Sequence, residues 1–469
     1  MTVGIAWHEK PFCSEGENGR ETAMNDATEL DSDDLEAWQL DVQLGAAMTE
    51  CKYELAVPLA ERLLEIRDAK LGPMHELSLT ALEVLVAGWM QLGQWERAVA
   101  LLDRRFGLAH PRHVPVLIGW AATLMIKGEL DEAEERALRA LSIARDMIGP
   151  ADSLVATSHS ILADLGRRRK AWDHALMHAV EAFRLRASNL LQEPALVYKD
   201  LMLVGDIFMH VGEYEEARKA LRMAVEITAG ALESDPLKMA QALFLYGRAA
   251  MAEKKPEEAI HPFKGALEFY DKVYGEADGR LCNPITELGK AYQEAEYFDE
   301  AEETFQRLLR LFQSCYPESK ATQAVPLAYL GEVAQQRKDH TRATAYFEEA
   351  VALGVAEFGE DSLRLHAVLD KAAEAQLAAE NFERAEELSR WQIRVMLPHL
   401  PGQDEPALLS PVRRLADIEI RRLKDNRANE EELKRLLEWV TRLMQVATER
   451  LQAETEAIKA RKSRPSGVS

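Results

Sequence analysis

The stretch GEYEEA at residues 212–217 is one copy of a short motif that recurs along the chain. Clear copies are GQWERA at 93–98 and GELDEA at 128–133, and weaker copies end at six further alanines. The nine alanines that end the copies are Ala56, Ala98, Ala133, Ala175, Ala217, Ala259, Ala301, Ala343 and Ala385. Seven of their eight spacings are 42 residues. A fixed period of this length predicts a repeat architecture rather than a set of unrelated domains.

The one exceptional spacing is the 35 residues between Ala98 and Ala133, which is seven residues shorter than the period. Seven residues are about two turns of an α-helix, so the helical phase is kept. Gly107 follows its alanine by nine residues, whereas Gly72 and Gly149 follow theirs by sixteen. Because glycines at such positions end helices, the sequence predicts that the second helix of this repeat is two turns short.

Each period is predicted to contain two helices, because apolar residues recur at helical spacing on both sides of the motif. A small residue twelve positions before the alanine lets the first helix approach the second closely, although Leu44 and Val86 occupy this position in the first two repeats. The small residues are Ala121, Ala163, Gly205, Gly247, Gly289, Gly331 and Ala373. One helix pair cannot bury its apolar face alone, so neighbouring pairs must stack into an all-α solenoid.

With these features the chain resembles the tetratricopeptide-repeat (TPR) proteins. The turn Leu71-Gly72-Pro73-Met74-His75, together with the 42-residue period, is similar to the kinesin-light-chain subtype; the usual TPR unit has about 34 residues. The resemblance implies a right-handed α-solenoid of TPR helix hairpins over residues 35–400, with about nine repeats. It says little about function, because TPR arrays share packing positions and little else.

The two ends of the chain differ from the repeats. Residues 1–34 contain nine acidic residues against Lys10 and Arg20, and they predict a disordered acidic tail with a net charge of −7. Residues 401–469 begin with Pro401, Gly402 and Pro406, which break the repeat pattern, and predict a helical hairpin followed by a short basic tail.

Two capping signals place the helices of this hairpin. Ser410 and Pro411 are typical of an N-cap and a first helical position, and Asn429 with Glu432 is a variant capping box. The final helix carries apolar residues along one face. That face either caps the last repeat or dimerises with a second chain as a coiled coil through residues 429–460.

Composition disfavours several classes of protein. With 57 basic and 79 acidic residues the net charge is −22, which disfavours binding to nucleic acid or to anionic membranes. Aromatic residues are 7 % of the chain, and the 25 glycines and 18 prolines are too few for a sandwich or propeller. The four cysteines form no C-x-x-C pair, and no apolar run approaches the length of a membrane span. We expect a cytoplasmic protein without membrane insertion.

The sequence contains no common catalytic or cofactor-binding motif. The phosphate-binding glycine loops, the zinc-protease helix motif and the serine nucleophile motif are all missing. His110 and His113 have the spacing of a metal pair, but no third ligand lies near them in the sequence. The prediction is a protein that is not an enzyme and uses no cofactor or metal.

The TPR resemblance implies that positions eight and eleven before the motif alanine line a concave groove. The position eight before is methionine in five of nine repeats, namely Met48, Met90, Met125, Met209 and Met251. Methionine is adaptable and is favoured on binding surfaces for varied apolar ligands. The alternative is that these side chains fill gaps between helices.

First-helix positions seven, eight, eleven and eighteen before the motif alanine carry basic residues in an otherwise acidic chain, and if these face the groove together they would favour an acidic peptide. They are Arg167, Arg168, Lys199, Arg248 and Lys290. The alternative is that several of them pair with carboxylates such as those of Asp164 and Asp206.

Two functions follow from these patterns. The first is a non-enzymatic scaffold or adaptor whose groove binds a protein or peptide partner with acidic or apolar anchor residues. The second is a peptide-sensing regulatory receptor, autoinhibited by its own acidic tail. The tail contains Trp7, and Trp38 lies just after it; Trp38 could instead start the first helix and pack there.

Overall fold

The computed structural model describes residues 32–187, 193–231, 235–401, 405–424 and 429–462. In these ranges every regular element is an α-helix or a short 3-10 helix. The first helix begins at Ser32, so residues 32–34 are helical rather than part of the predicted tail, whose other residues lie outside the described ranges. Over the same ranges, no helix combines the length and the apolar character needed to cross a membrane.

The chain divides into two compact units, residues 1–233 and 234–469. The described helices of the first unit form five pairs: α1 Ser32–Thr49 and α2 Tyr53–Leu71, α3 Glu76–Gln91 and α4 Trp95–Phe106, α5 His113–Lys127 and α6 Leu130–Met147, α7 Ser153–Arg168 and α8 Trp172–Ala187, α9 Pro194–Val211 and α10 Tyr214–Ala231.

The described helices of the second unit form five more pairs: α11 Pro236–Ala252 and α12 Pro256–Tyr274, α13 Cys282–Glu294 and α14 Phe298–Cys315, α15 Ala324–Gln336 and α16 His340–Phe358, α17 His366–Ala378 and α18 Phe382–Met396, α19 Leu409–Lys424 and α20 Glu430–Lys462. The last pair is the predicted C-terminal hairpin.

All nine motif alanines are buried near the start of the second helix of their pair. A buried methyl group at this point holds the two helices of a repeat close together. The prediction of an all-α solenoid of helix pairs is confirmed in the described part of each unit.

The second helix of repeat 2 is short, as predicted. Helix α4 has 12 residues, whereas α2 has 19 and α6 has 18. It ends at Gly107, whose φ of 81° lies in the region that favours glycine. The missing seven residues are therefore taken from the C-terminal end of α4.

The small position of the first helix faces the residue four after the motif alanine. In repeats 5 to 8 a glycine lies against Leu221, Phe263, Phe305 or Phe347, and a Cβ on that glycine would come closer than 3.0 Å to the facing side chain. The pairs, all buried, are Leu44 and Ala60, Val86 and Leu102, Ala121 and Ala137, Ala163 and Ala179, Gly205 and Leu221, Gly247 and Phe263, Gly289 and Phe305, Gly331 and Phe347, Ala373 and Ser389. Each phenylalanine in this position faces a glycine, so in repeats 6 to 8 the two positions share one volume, whereas repeat 2 accommodates both Val86 and Leu102.

Ion pairs join the second helices of successive repeats. Each links a carboxylate to an arginine 36 or 37 residues later in the chain, which is about one period. In the first unit these are Glu61 to Arg97, Asp68 to Arg105 and Asp103 to Arg139; in the second they are Asp271 to Arg307 and Glu348 to Arg384. Partly exposed ion pairs each contribute little to the free energy of folding. Their recurrence at a similar spacing shows that successive repeats contact each other through equivalent side chains.

The C-terminal hairpin begins differently from the prediction. Helix α19 starts at Leu409 after a 3-10 turn, and the hydroxyl of Ser410 donates a hydrogen bond to Asp370 Oδ1 (2.8 Å) instead of capping its own helix. The prediction for Asn429 is confirmed, because its Oδ1 accepts a hydrogen bond from the backbone N–H of Glu432 (3.1 Å). The backbone N–H of Asn429 donates to Glu419 Oε2 (2.9 Å), which takes the place of the predicted capping-box carboxylate.

Candidate partner-binding surface

The candidate surface is formed by the first helix of each pair, and we call it the first-helix surface of its unit. Its central row is the position eight before each motif alanine. Eight of the nine residues in this row are half-buried, as expected for side chains that lie between neighbouring first helices at the edge of solvent.

Four of the five predicted methionines are in this half-buried state. Met48 and Met90 pack against the hydrophobic core of the first unit, and Met251 packs against a core cluster of the second. The Cε of Met90 lies 3.4 Å from the point where a Cβ on Gly119 of α5 would stand. Met209 is also half-buried. Met48, Met90 and Met251 therefore fill space between helices and stay only partly buried, and their part in partner binding remains a prediction.

Met125 does not line the surface. Its side chain is 4 % exposed, whereas that of the next residue, Ile126, is 71 % exposed. Helix α5 is apolar almost throughout and buries ten of its fifteen residues. Because the core takes so many positions of α5, Met125 turns inward and the adjacent position faces solvent.

Two of the predicted basic residues are neutralised within the first unit. Arg167 donates to Asp164 Oδ1 (2.9 Å) and lies 3.6 Å from Asp206 Oδ2. Arg168 lies 3.1 Å from Asp164 Oδ2 and also donates to the carbonyl of Met125 (3.2 Å). The alternative of pairing with Asp164 and Asp206 is the observed arrangement.

Lys290 is partly neutralised in the second unit. Its Nζ lies 3.3 Å from Glu287 Oε1 and 5.5 Å from the centre of the Tyr329 ring. Burial acts to lower the pKa of Lys290, but the Glu287 carboxylate and the Tyr329 hydroxyl outweigh burial and raise it. This lysine therefore stays charged and shares its charge with two neighbours.

Lys199 of α9 and Arg248 of α11 remain available. Both side chains are exposed, and neither forms an ion pair with a carboxylate of the described residues. An exposed cation without a neighbouring carboxylate attracts an acidic group of a partner more strongly than a paired one. Among the described residues, each unit thus presents one predicted cation that no carboxylate neutralises.

A cleft that the sequence did not predict lies at the C-terminal end of the first-helix surface of the second unit. It has a volume of about 550 Å³ and lies between α17 and the start of α19. Glu374 and Leu377, eleven and eight before Ala385, contribute to its lining, as does the exposed Arg413. Arg413 lies 42 residues after Lys371 of α17, but this position is fourteen before the motif alanine and is not among the predicted groove positions, so no signal in the sequence identified it.

Two further predictions concern aromatic residues near the N-terminus. Trp38 does not pack at the start of α1; its side chain is exposed, together with those of Leu35 and Val42 on the same helix. These residues lie on a face of the first helix that the described residues leave exposed. Trp7 and the rest of the acidic tail lie outside the described residues.

Within the described residues, no three metal-binding side chains, histidines included, are placed to share an ion. His113 is buried, with its ring nitrogens 3.0 Å from the carbonyl of His110 and 2.9 Å from Asp103 Oδ1. A second group is a chain in which the buried His178 lies 2.8 Å from His159 and 3.3 Å from His174. Burial is the main cause that lowers the pKa of His178 to about 4, and the charges that the neighbouring His174 and His159 rings can carry lower it further.

Comparison with known proteins supports the repeat assignment. Residues 327–363 match the model of a tetratricopeptide-repeat family. The apo form of RapI has a TM-score of 0.50 and 13 % identity, over 77 % of this chain and 97 % of that chain. A signal transduction ATPase with a tetratricopeptide-repeat sensor, PH0952 from Pyrococcus horikoshii, also has a TM-score of 0.50, with 15 % identity over 86 % of this chain and 54 % of that chain.

A third similar structure is BtubC (BKLC) from P. vanneervenii, with a TM-score of 0.39 and 23 % identity over 48 % of this chain and 91 % of that chain. No curated protein sequence matches the chain significantly. Nine helix pairs, each with a buried motif alanine, and a matching family model lead to one conclusion. The described residues form helix pairs of the tetratricopeptide-repeat type, and residues 327–363 match the model of a tetratricopeptide-repeat family.

Proposed function

We propose that this protein is a non-enzymatic scaffold that binds a segment of a partner protein on its first-helix surfaces. TPR folds serve protein–protein interaction in general, and their repeats offer a long surface rather than a single cavity. The partner segment carries acidic and apolar side chains, which meet the exposed cations and the half-buried methionines.

The observation that carries this proposal is the state of Lys199 and Arg248. The chain has a net charge of −22, and many of its other cations pair with carboxylates, yet these two are exposed on first helices and form no ion pair with any carboxylate of the described residues. Arg413, at the cleft of the second unit, has the same character. Such residues steer an acidic segment and fix its register.

The apolar contribution comes from the half-buried methionines. Met251 lies three residues after Arg248 on α11, which places the two on the same side of that helix. A partner with an acidic residue next to an apolar one can therefore engage both. Leu377 in the cleft beside Arg413 offers a second such combination.

The test is a screen of the full chain against an array of synthetic peptides that vary in acidic and apolar content. We expect binding to peptides that combine both kinds of residue, and weaker binding as salt screens the exposed charges. Arg248→Glu should reduce binding at least ~10-fold, which corresponds to about 1.4 kcal/mol.

Arg310→Glu is the matched control. Arg310 is an exposed arginine of the same unit, but it lies on the second helix α14. This variant makes the same change in net charge and should bind as the native chain does. Equal losses in both variants would show that binding follows net charge alone, and would contradict the proposal.

A further inference from the structure

Two histidines of helix α8 direct ring nitrogens at each other. His174 and His178 are four residues apart, which places them on the same face of the helix, one turn from each other. Their Nε2 atoms are 3.3 Å apart. Hydrogen bonds donated by N–H groups are mostly about 2.9–3.0 Å long, so this contact is long for a hydrogen bond between the two rings.

The same separation is that of two nitrogen ligands on one tetrahedral zinc ion. Zinc binds histidine nitrogen at about 2.0–2.1 Å, and the tetrahedral angle then places two such nitrogens about 3.3–3.4 Å apart. A square-planar ion, the geometry typical of copper(II) and nickel(II), would need about 2.9 Å at a similar bond length. The 3.3 Å between the two Nε2 atoms therefore fits zinc better than a square-planar metal.

The other nitrogen of the buried ring is held from the neighbouring helix. Nδ1 of His178 lies 2.8 Å from Nδ1 of His159, which belongs to α7. When the Nδ1–H of His178 donates to His159, the lone pair of His178 is on Nε2, where it faces His174. Histidines that bind metals almost always donate their second N–H to a neighbouring acceptor in this way. His159 thus orients the His178 ring for binding through Nε2.

The protonation state of His178 suits a metal ligand. Its pKa of about 4 belongs to the metal-free ring and keeps that ring neutral near pH 7, and a histidine must be neutral to bind a metal ion. The Glu134 carboxylate of α6 acts in the opposite direction on the same pKa, so it favours positive charge beside this ring. Glu134 also lies 2.5 Å from Arg169, which offsets part of its charge.

Solvent reaches this pair through His174. Its side chain is exposed and lines a cleft of about 520 Å³, together with Trp172, Asp173 and His210. Since no group of three metal-binding side chains among the described residues is placed to share an ion, two positions of a tetrahedral ion remain for water. The cleft gives these water molecules space at the edge of the protein.

We propose that His174 and His178 bind one zinc ion through their Nε2 atoms, with His159 as a positioning residue and water in the two open positions. This departs from the sequence-based prediction that the chain uses no metal, which considered only His110 and His113. Two protein ligands give weaker binding than a four-ligand structural site, in the micromolar range. Both ligands lie on a second helix, so the inference does not depend on the proposed function.

Calorimetric titration of zinc chloride into the full chain tests the inference. His174→Gln removes one ligand at an exposed position and should raise the zinc dissociation constant at least ~10-fold. His261→Gln is the matched control, since His261 is an exposed histidine of α12. This variant should bind zinc as the native chain does, and circular dichroism should show equal helix content in all three proteins.

Nitrogen-15 NMR of the histidine rings identifies the binding atoms. Zinc should shift the Nε2 resonances of His174 and His178, while Nδ1 of His178 keeps its proton. His159→Phe keeps a ring but removes the acceptor, and it should weaken zinc binding by ~10–100-fold; unchanged affinity would contradict the positioning role. The absence of saturable binding, equal losses in His174→Gln and His261→Gln, or zinc-induced shifts only at other histidines would each overturn the proposal.

Discussion

Replacing Gly331 by alanine tests how closely the two helices of a repeat approach each other. Gly331 lies on α15 and faces Phe347 of α16, which is fully buried. A Cβ on Gly331 would lie 2.7, 2.8 and 2.9 Å from three atoms of the Phe347 ring. Carbon atoms in contact normally lie about 3.5–4.0 Å apart. The new methyl group therefore forces the ring or one of the helices to move.

Two opposing effects set the size of the change. Alanine in place of glycine inside a helix stabilises it by about 1 kcal/mol. Overpacking a buried site costs about 1–3 kcal/mol, and the upper part of this range applies because a buried aromatic ring has little room to shift. We expect Gly331→Ala to lower the free energy of unfolding by about 1–2 kcal/mol, measured by urea unfolding followed by circular dichroism.

Gly45→Ala is the matched control, since Gly45 is an exposed glycine of α1 with no atom within 4 Å of its would-be Cβ. This variant should gain about 1 kcal/mol. Adding Phe347→Leu to Gly331→Ala should cost less than the sum of the two single changes, because the smaller side chain makes room for the methyl group. If Gly331→Ala instead stabilises the protein as much as Gly45→Ala does, the close-approach explanation of the repeat is wrong.

Three further predictions concern stability. The pKa of His178 is about 4 in the folded chain, whereas the usual value is near 6.5, so between these pH values the unfolded chain binds a proton that the folded chain does not. The free energy of unfolding should therefore fall by up to ~3 kcal/mol as the pH drops through this range, and His178→Gln should flatten that dependence. Asp370→Ala removes the carboxylate 2.6 Å from the buried guanidinium of Arg414 and should cost about 3 kcal/mol in urea unfolding, whereas Asp370→Asn, which keeps an acceptor, should cost less. Met125→Ala should cost about 2–5 kcal/mol, while Ile126→Ala beside it should change stability by no more than about 0.5 kcal/mol; equal effects of the two would contradict the inward orientation of Met125.

The repeat and its helix pairs could be predicted from the sequence because they rest on periodicity. Equally spaced alanines have the same environment in every repeat, so Ala98 and Ala301 could be assigned alike without contact information. The shortened α4 followed from one irregular spacing and the position of Gly107. Such local signals can be recognised in the sequence because each repeat contacts only its neighbours and therefore has nearly the same surroundings.

Features that depend on contacts between particular side chains could not be predicted. The sequence showed a small residue at Gly331, but only the structure shows that its size is matched to Phe347. The position eight before the motif alanine grouped Met125 with the other methionines. Its side chain is nevertheless buried in the core, because α5 is apolar almost throughout. Arg167 and Arg248 were both predicted to line the groove, and the structure distinguishes them because Asp164 and Asp206 lie beside only the first.

Site-specific photocross-linking tests the proposed binding surface most directly. A photoreactive amino acid replaces Met251 on first helix α11, and in a separate protein it replaces Met177, which lies on second helix α8. Each protein is irradiated with an acidic and apolar peptide selected from the array. A covalent adduct at position 251 and none at position 177 is the predicted result. An adduct at position 177 with none at position 251 would contradict binding on the first helices.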